Sequence, residues 1–225
     1  MQSVDHRSLV AARRRERMRE RLLDAALVLA AGGGVEAVTI DAVIAQAEVA
    51  RGTFYKYFDT PAALLSELGV EVSDALIRTM HPFMEQLDDP AERLVVGMRT
   101  ILRLARTYPL IGSFMGRVGG WMEAQRNHAL FTLVGVDIEK GIRKGRFARM
   151  HLNVALNAMT GTMTAATQCI SSIRMPRDFP EQTAASVLRA LGIPAEEAQA
   201  MATAPLTMPS VDGNTLIGRL MSAPR

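Results

Sequence analysis

Thr39-Ile-Asp-Ala-Val-Ile-Ala-Gln-Ala-Glu-Val-Ala-Arg-Gly-Thr-Phe-Tyr-Lys-Tyr-Phe58 is the stretch on which the reading of this chain turns. Thr39 suits a helix N-cap, and Asp41 in the following turn complements the positive end of the helix dipole. Ile40, Val43, Ile44 and Ala47 then fall on one face, the spacing of an amphipathic helix. A break is expected at Glu48-Val49. The next helix carries Phe54 and Phe58, an i, i+4 pair that can anchor it on its neighbours. Two helices joined by so short a turn predict a helix-turn-helix unit, whose second helix enters a major groove.

Working outward, Met18, Leu22, Ala25 and Leu29 line one face of a preceding helix, expected from about 14 to 31. Gly32-Gly33-Gly34 stops it; no Gly-Lys-Ser/Thr follows, so the triplet is not a phosphate loop. Before it, Arg7, Arg13, Arg14, Arg15, Arg17, Arg19 and Arg21 crowd the N-terminus, and residues 1–13 read as a flexible basic arm. After it, Thr60-Pro61 opens a helix to about Met80, with a stop expected at His81-Pro82. Pro90 opens another, with Leu94, Met98, Ile101, Leu102 and Ala105 turned inward. A short helix is expected over 110–118. After Gly119-Gly120, a longer one runs from Trp121 to about Lys144.

The segment 151–173 holds no charged residue. Leu152, Leu156, Met159, Met163, Ala166, Ile170 and Ile173 form a large apolar stripe, expected to pack inside the chain's own domain. Ala155, Ala158, Thr162, Ala165 and Cys169 form a stripe of small residues, expected to meet a symmetry mate together with Ala185 and Leu188 of a helix from Pro180 to about Leu191. A membrane span is disfavoured by the Asn, Gln, Thr and Ser in the segment.

With 225 residues, 48% hydrophobic and 22% charged, the chain can bury a good core. The net charge of +3 does not by itself imply a nucleic-acid partner. A single cysteine, Cys169, excludes an intramolecular disulfide and a cysteine metal cluster. With acidic residues inside the basic N-terminal run, no secretory signal is read, and a cytoplasmic, nucleoid-associated location is expected. His6, His81, His128 and His151 form no metal-binding pair, and there is no Gly-x-Ser-x-Gly elbow or dinucleotide fingerprint. No catalytic residue, metal or cofactor is expected. An all-α enzyme and a ligand-independent architectural DNA binder are the rival readings.

Residues from about 14 to 68 resemble the DNA-binding domain of TetR/AcrR-type transcriptional regulators. The likeness rests on Leu23-Asp-Ala-Ala-Leu27, Gly34-Val-Glu-Ala-Val-Thr-Ile40, Val49-Ala-Arg-Gly-Thr-Phe-Tyr-Lys-Tyr-Phe58 and Ala63-Leu-Leu65. It implies an all-α fold, with a DNA-binding domain over 14–60 and a helical ligand-binding and dimerisation domain over 61–225. It also implies a homodimer on a palindromic double-stranded operator, released by a small hydrophobic effector. Thr39 then corresponds to a phosphate-contacting cap. Arg51, Gly52 and Thr53 match positions that read base edges or approach the backbone closely. Tyr55 and Tyr57 match phosphate donors, with Lys56 between them.

The side chains suit those roles. Arginine forks onto guanine O6 and N7, and the methyl of threonine suits thymine. Tyrosine hydroxyls and helix N-termini suit phosphates. The resemblance further implies a ligand pocket among the helices of about 90–175. The candidates there are Met98, Leu102, Phe114, Met115, Trp121, Met122, Phe131, Met159 and Met163, with His128 and Gln168 to orient a ligand. Three departures stand out: Glu48 where the family often has Gly, Ala50 where it often has a Ser or Thr cap, and Pro61 where it commonly has a phosphate-binding Lys. The N-terminal arginines are the candidates to replace that last clamp.

Overall fold

The computed structural model describes residues 6–125 and 129–208, with Leu216 and Gly218; of the side chains at 6–8, 119–125 and 129–131 nothing is described. Among the described residues the regular structure is helical throughout: α1 (His6–Gly33), α2 (Ile40–Gln46), α3 (Arg51–Phe54), α4 (Pro61–Met84), α5 (Pro90–Thr107), α6 (Pro109–Gln125), α7 (Ala129–Arg143), α8 (Leu152–Ser172), α9 (Phe179–Ala190) and α10 (Ala195–Thr203). A single 3-10 turn, Val35–Ala37, links α1 to α2. No helix among them is long and apolar enough to cross a membrane.

Caps fix the ends where the sequence places them. Thr39 accepts from the Ala42 N–H at 3.2 Å, Thr60 from Ala63 at 3.1 Å, and Asp89 from Ala91 at 2.9 Å. Each satisfies one orphan donor of a first turn. Pro61 and Pro90 sit at the first helical position, where no N–H is needed. Ala50 caps α3 without any side-chain bond.

The helices differ from the expected ones in three places. α1 begins at His6, so the segment read as a flexible arm is helical from there on. Ala11, Ala12 and the following Arg and Glu residues are strong helix formers that carry the turn backwards. α4 runs through His81-Pro82 to Met84. Proline costs it the bond to the Arg78 carbonyl, yet this falls in the last turn. There Gln86 Nε2 donates to the Pro82 carbonyl at 3.0 Å and Arg93 Nη1 to the Met84 carbonyl at 2.6 Å, giving the end polar partners. Gly119-Gly120, where a break was expected, lie inside α6, which runs to Gln125.

Two cores result. The first joins Leu22, Leu23, Ala26 and Leu27 of α1, Val43 of α2, Phe54 and Phe58, and Leu64, Leu65, Leu68 and Leu76 of α4. Leu104, Ile111, Phe114, Val118 and Leu216 close it from the other side. The second joins α5 and α7 to α10 through Leu94, Met98, Ile138, Phe147, Met159, Leu188 and Leu191. The Gly141-to-Phe147 turn is tight because the Phe147 ring lies on Gly141, where an added Cβ would overlap it at 2.2 Å.

Among the described residues Glu48 is the one non-glycine residue with positive φ, at 50°. The α2–α3 turn therefore demands the left-handed conformation that the sequence comparison with Gly suggested. For an L-residue this costs about 1 kcal/mol. Its carboxylate pairs with Arg21 at 3.2 Å, but both groups are exposed, so the pair returns little. Glu48→Gly is expected to stabilise the chain by ~0.5–1 kcal/mol, raising Tm by about 1–4 °C in a thermal melt. A fall in Tm would show that the ion pair outweighs the strain.

Candidate nucleic-acid interface and ligand cavity

The head presents one polar face. Phe54 is 0% and Phe58 4% exposed, with ring centroids 6.1 Å apart. Fixing these two rings inward turns the other faces of α3 and the turn after it outward. Arg51, Gly52, Tyr55 and Lys56 are exposed, while Thr53 and Tyr57 are half-buried. Tyr55 packs its ring edge-on to Phe54 at 5.7 Å, which orients its hydroxyl without burying it. Tyr57 packs partly against the first core. The chain continues in helical turns past Phe54, with Tyr57 and Phe58 both donating to the Phe54 carbonyl, at 2.9 and 3.0 Å.

Thr39 lies at the exposed start of α2. Asp41, two residues on, accepts from Arg51 Nη1 at 2.6 Å. That pair ties the starts of α2 and α3 and holds the guanidinium at the surface, where the exposed ion pair costs little to exchange for another acceptor. An added Cβ at Gly52 would meet nothing within 4 Å, so nothing inside the chain requires glycine there. Arg13, Arg14 and Arg17 are exposed on the N-terminal half of α1.

Behind the head, Arg19 of α1 binds Glu67 and, at 3.0 Å, Glu71 of α4. Burial pulls its guanidinium toward the neutral form, but the two carboxylates outweigh this and hold its pKa above the ordinary value. α1 and α4 are thus clamped by charge as well as by leucines.

α4 leads from this clamp to a cavity of about 260 Å³. Of the pocket candidates, Met98, Met115, Met159 and Met163 are among its lining residues. Leu102 and Phe114 are not: at 0% and 1% exposed they are closed core. Gln168 is not among the lining residues either; its Nε2 donates to the Gly116 carbonyl at 2.9 Å. Gly116 permits this, because a Cβ there would lie 3.1 Å from the Gln168 backbone, so α6 and α8 meet closely. His128, and the side chains of Trp121, Met122 and Phe131, lie outside the described residues.

The wall the sequence reading missed is the far half of α4, including Ser73, Ile77, Met80 and Met84. The signal was present: Ser73, Ile77, Met80 and Met84 recur at helical spacing beside the stripe that fills the core. Arg93 and Asp137 also border the cavity, with Arg93 Nε 2.9 Å from both carboxylate oxygens.

Three residues assigned to a dimer contact are corrected. Ala155, Ala185 and Leu188 are 0%, 4% and 0% exposed within the single chain, packed in the second core. α9 and α5 cover the faces that a symmetry mate would need. Ala158, Thr162, Ala165 and Cys169 remain at least partly accessible on the outer face of α8. Val154 and Ile173, 57% and 61% exposed, extend the same stripe at either end.

On the opposite side, Glu181 of α9 receives Arg99 and Arg103 of α5, Arg103 at 2.6 Å. Burial first, and then Arg103, push the Arg99 pKa down against the pull of Glu181. Burial raises that of Glu181, but the two guanidiniums outweigh it and leave it below the usual carboxylate range. Arg99 Nη1 also donates to the Ala204 carbonyl at 2.8 Å, which ties down the segment after α10.

The sequence profile of the bacterial regulatory proteins of the tetR family matches residues 22–68, and that of the tetracyclin repressor-like C-terminal domain matches residues 89–204. The HTH-type transcriptional repressor KstR of Rhodococcus jostii is 39% identical over 100 residues, which are 44% of this chain and 46% of that protein. The chain thus spans about half the length of the curated relatives it matches. The crystal structure of RolR in complex with resorcinol superposes with a TM-score of 0.61 at 27% identity, covering 88% of this chain and all of that one. A TetR family regulator from Marinobacter aquaeolei VT8 superposes with a TM-score of 0.64 at 18% identity, over 80% of this chain and 98% of that one, a likeness of fold.

Proposed function

We propose that this chain, which belongs to the tetR family of bacterial regulatory proteins, is a repressor that binds a palindromic operator as a homodimer and leaves it when a small hydrophobic effector fills the cavity. The observation that carries this reading is the division of one short segment. Phe54 and Phe58 are buried while Arg51, Gly52, Tyr55 and Lys56 face out. Residues 14–60 form the DNA-binding domain, with 1–13 as a basic lead-in. Residues 61–225 form the effector-binding and dimerising domain.

On the operator, Arg51 leaves or shares Asp41 and forks onto a guanine, Gly52 and Thr53 lie against the groove floor, and Thr39, Tyr55, Lys56 and Tyr57 hold the backbone. In the dimer, the two copies meet along Val154, Ala158, Thr162, Ala165, Cys169 and Ile173. Small residues in the middle of that stripe let two α8 helices approach closely. The two recognition segments then reach successive major grooves, one helical turn of ~34–36 Å or a multiple apart.

Release follows from linkage. α4 is a rod of ~36 Å at 1.5 Å per residue. Its near end holds Leu64, Leu65 and Leu68 in the core of the head, and its far end walls the cavity. An effector that fits better when the far end moves selects a geometry in which the recognition segments no longer match the groove spacing. KstR, a repressor, and RolR, crystallised with resorcinol, support the repressor and small-effector parts of this reading.

A mobility-shift assay on the DNA upstream of the chain's own gene tests it. Sequence-specific retention that a compound abolishes is expected; retention blind to sequence or compound defeats the reading. Gly52→Ala separates binding from folding. It should raise stability by ~0.5–1 kcal/mol, since alanine is the better helix former and space is free. Operator affinity should nevertheless fall about tenfold, because the methyl stands where DNA docks. Unchanged affinity would show that α3 does not approach the groove at this residue.

A further inference from the structure

The walls of the cavity specify what it accepts. Val72, Leu76, Ile77, Leu94, Ile101 and Val134 give it an aliphatic lining, together with the methionines. Methionine adapts to irregular shapes. No Phe, Tyr or Trp lines it among the described residues, so they provide no flat slot for stacking a planar ring. At about 260 Å³ the cavity is at the small end of ligand pockets, a size that suits a compact one- or two-ring molecule.

One polar group in this lining is unusual. Ser73 is 2% exposed, and its hydroxyl has no hydrogen-bond partner among the described residues. Of the other buried hydroxyls, only that of Thr100, outside the lining, is likewise without a partner among the described residues. Thr79, Thr160, Thr167 and Thr183 each donate to the carbonyl four residues back, at 2.8 to 3.0 Å. Ser73 has the Gly69 carbonyl at the same offset and does not bond to it. A buried hydroxyl without a partner is costly, and a ligand oxygen in the cavity supplies one.

The charges on the rim decide the rest. Arg93 is held by both oxygens of Asp137. His81 lies 3.6 Å from Glu85. The described lining therefore offers no unpaired cation, while a carboxylate brought into it would meet Asp137 and Glu85 and lose its water without compensation.

Resting on the effector reading above, we infer that the cavity takes an uncharged, compact, mainly aliphatic molecule bearing one hydrogen-bonding oxygen, bonded to Ser73, and rejects the carboxylate of the same skeleton. Calorimetric titration of the full chain with adamantanol and with adamantane carboxylate tests this. The alcohol should bind at least about tenfold more tightly. Ser73→Ala should weaken the alcohol about fivefold, one neutral hydrogen bond's worth, and leave the Tm of the free protein unchanged or raised. Asp137→Asn should free Arg93 and shift the preference toward the carboxylate.

Equal or tighter binding of the carboxylate by the unmodified chain, no binding of the alcohol, or a Ser73→Ala variant that binds the alcohol as before would each overturn the inference. Operator release is read separately by mobility shift. Alcohol binding without release sustains the inference and defeats effector-controlled repression. Release by the carboxylate but not the alcohol does the reverse.

Discussion

Arg51→Ala is expected to weaken operator binding by ~2–6 kcal/mol, from about thirtyfold to about twenty-thousandfold, with almost no change in Tm. A bidentate arginine–guanine contact is worth ~1–3 kcal/mol of discrimination, and a dimer on a palindrome makes it twice. Stability is spared because the partner lost is Asp41, in a pair whose side chains are 55% and 76% exposed. The pattern across sequences carries the information. If Arg51 reads a base, the variant loses its preference at one symmetric pair of operator positions and binds the remaining sequences as before. Titration against an operator library, at one fixed salt concentration, reads this directly. A uniform loss over all sequences, with a salt dependence flatter by about one ion per site, would instead put Arg51 on a phosphate.

The second large effect lies far from DNA. Glu181→Gln is expected to destabilise the chain by ~3 kcal/mol, near the lower end of the ~3–5 kcal/mol for breaking a buried pair, since the amide oxygen still accepts. Arg99 is 3% exposed at its side chain and Arg103 25%, so two guanidiniums are left against one neutral group. For a chain of this size the Tm should fall by about 6–12 °C. Replacing Arg103 with methionine as well removes one stranded cation and should recover about half of the loss.

The pH dependence follows from the direction of the shift. The folded-state pKa of Glu181 is depressed below its ordinary value of 4.5. The stability it contributes is therefore fully present above that value and is lost as pH falls through the folded-state pKa. The difference between the original chain and Glu181→Gln should close in acid. Melts at neutral pH and near pH 3 check this, and a gap independent of pH would show that the loss is one of packing.

Much of the head was legible because its determinants are local. Thr39 and Thr60 cap helices through bonds to N–H groups three residues on. The Phe54 and Phe58 pair meets across one turn, and the strained Glu48 sits where a tight turn needs a left-handed residue. Each of these is set by neighbours within a few positions, and the sequence displays those neighbours in order.

Beyond the head, local pattern stopped deciding. α8 is neutral on every side, and its periodicity offered two stripes, of which the small-residue one was expected to face outward as a whole. Packing against α5, α7 and α9 buried Ala155, while Ala158 and Ala165 stayed accessible. Pro82 remained helical because Gln86 and Arg93 meet the last turn's carbonyls. The cavity's wall from Ser73 to Met84 belongs to a helix whose other end serves the head, and only the meeting of α4 with α5, α6, α7 and α8 encloses the hollow. Helices and their caps are written in contacts three and four residues apart, whereas the choice of buried face, and any hollow between faces, depends on residues up to a hundred positions away.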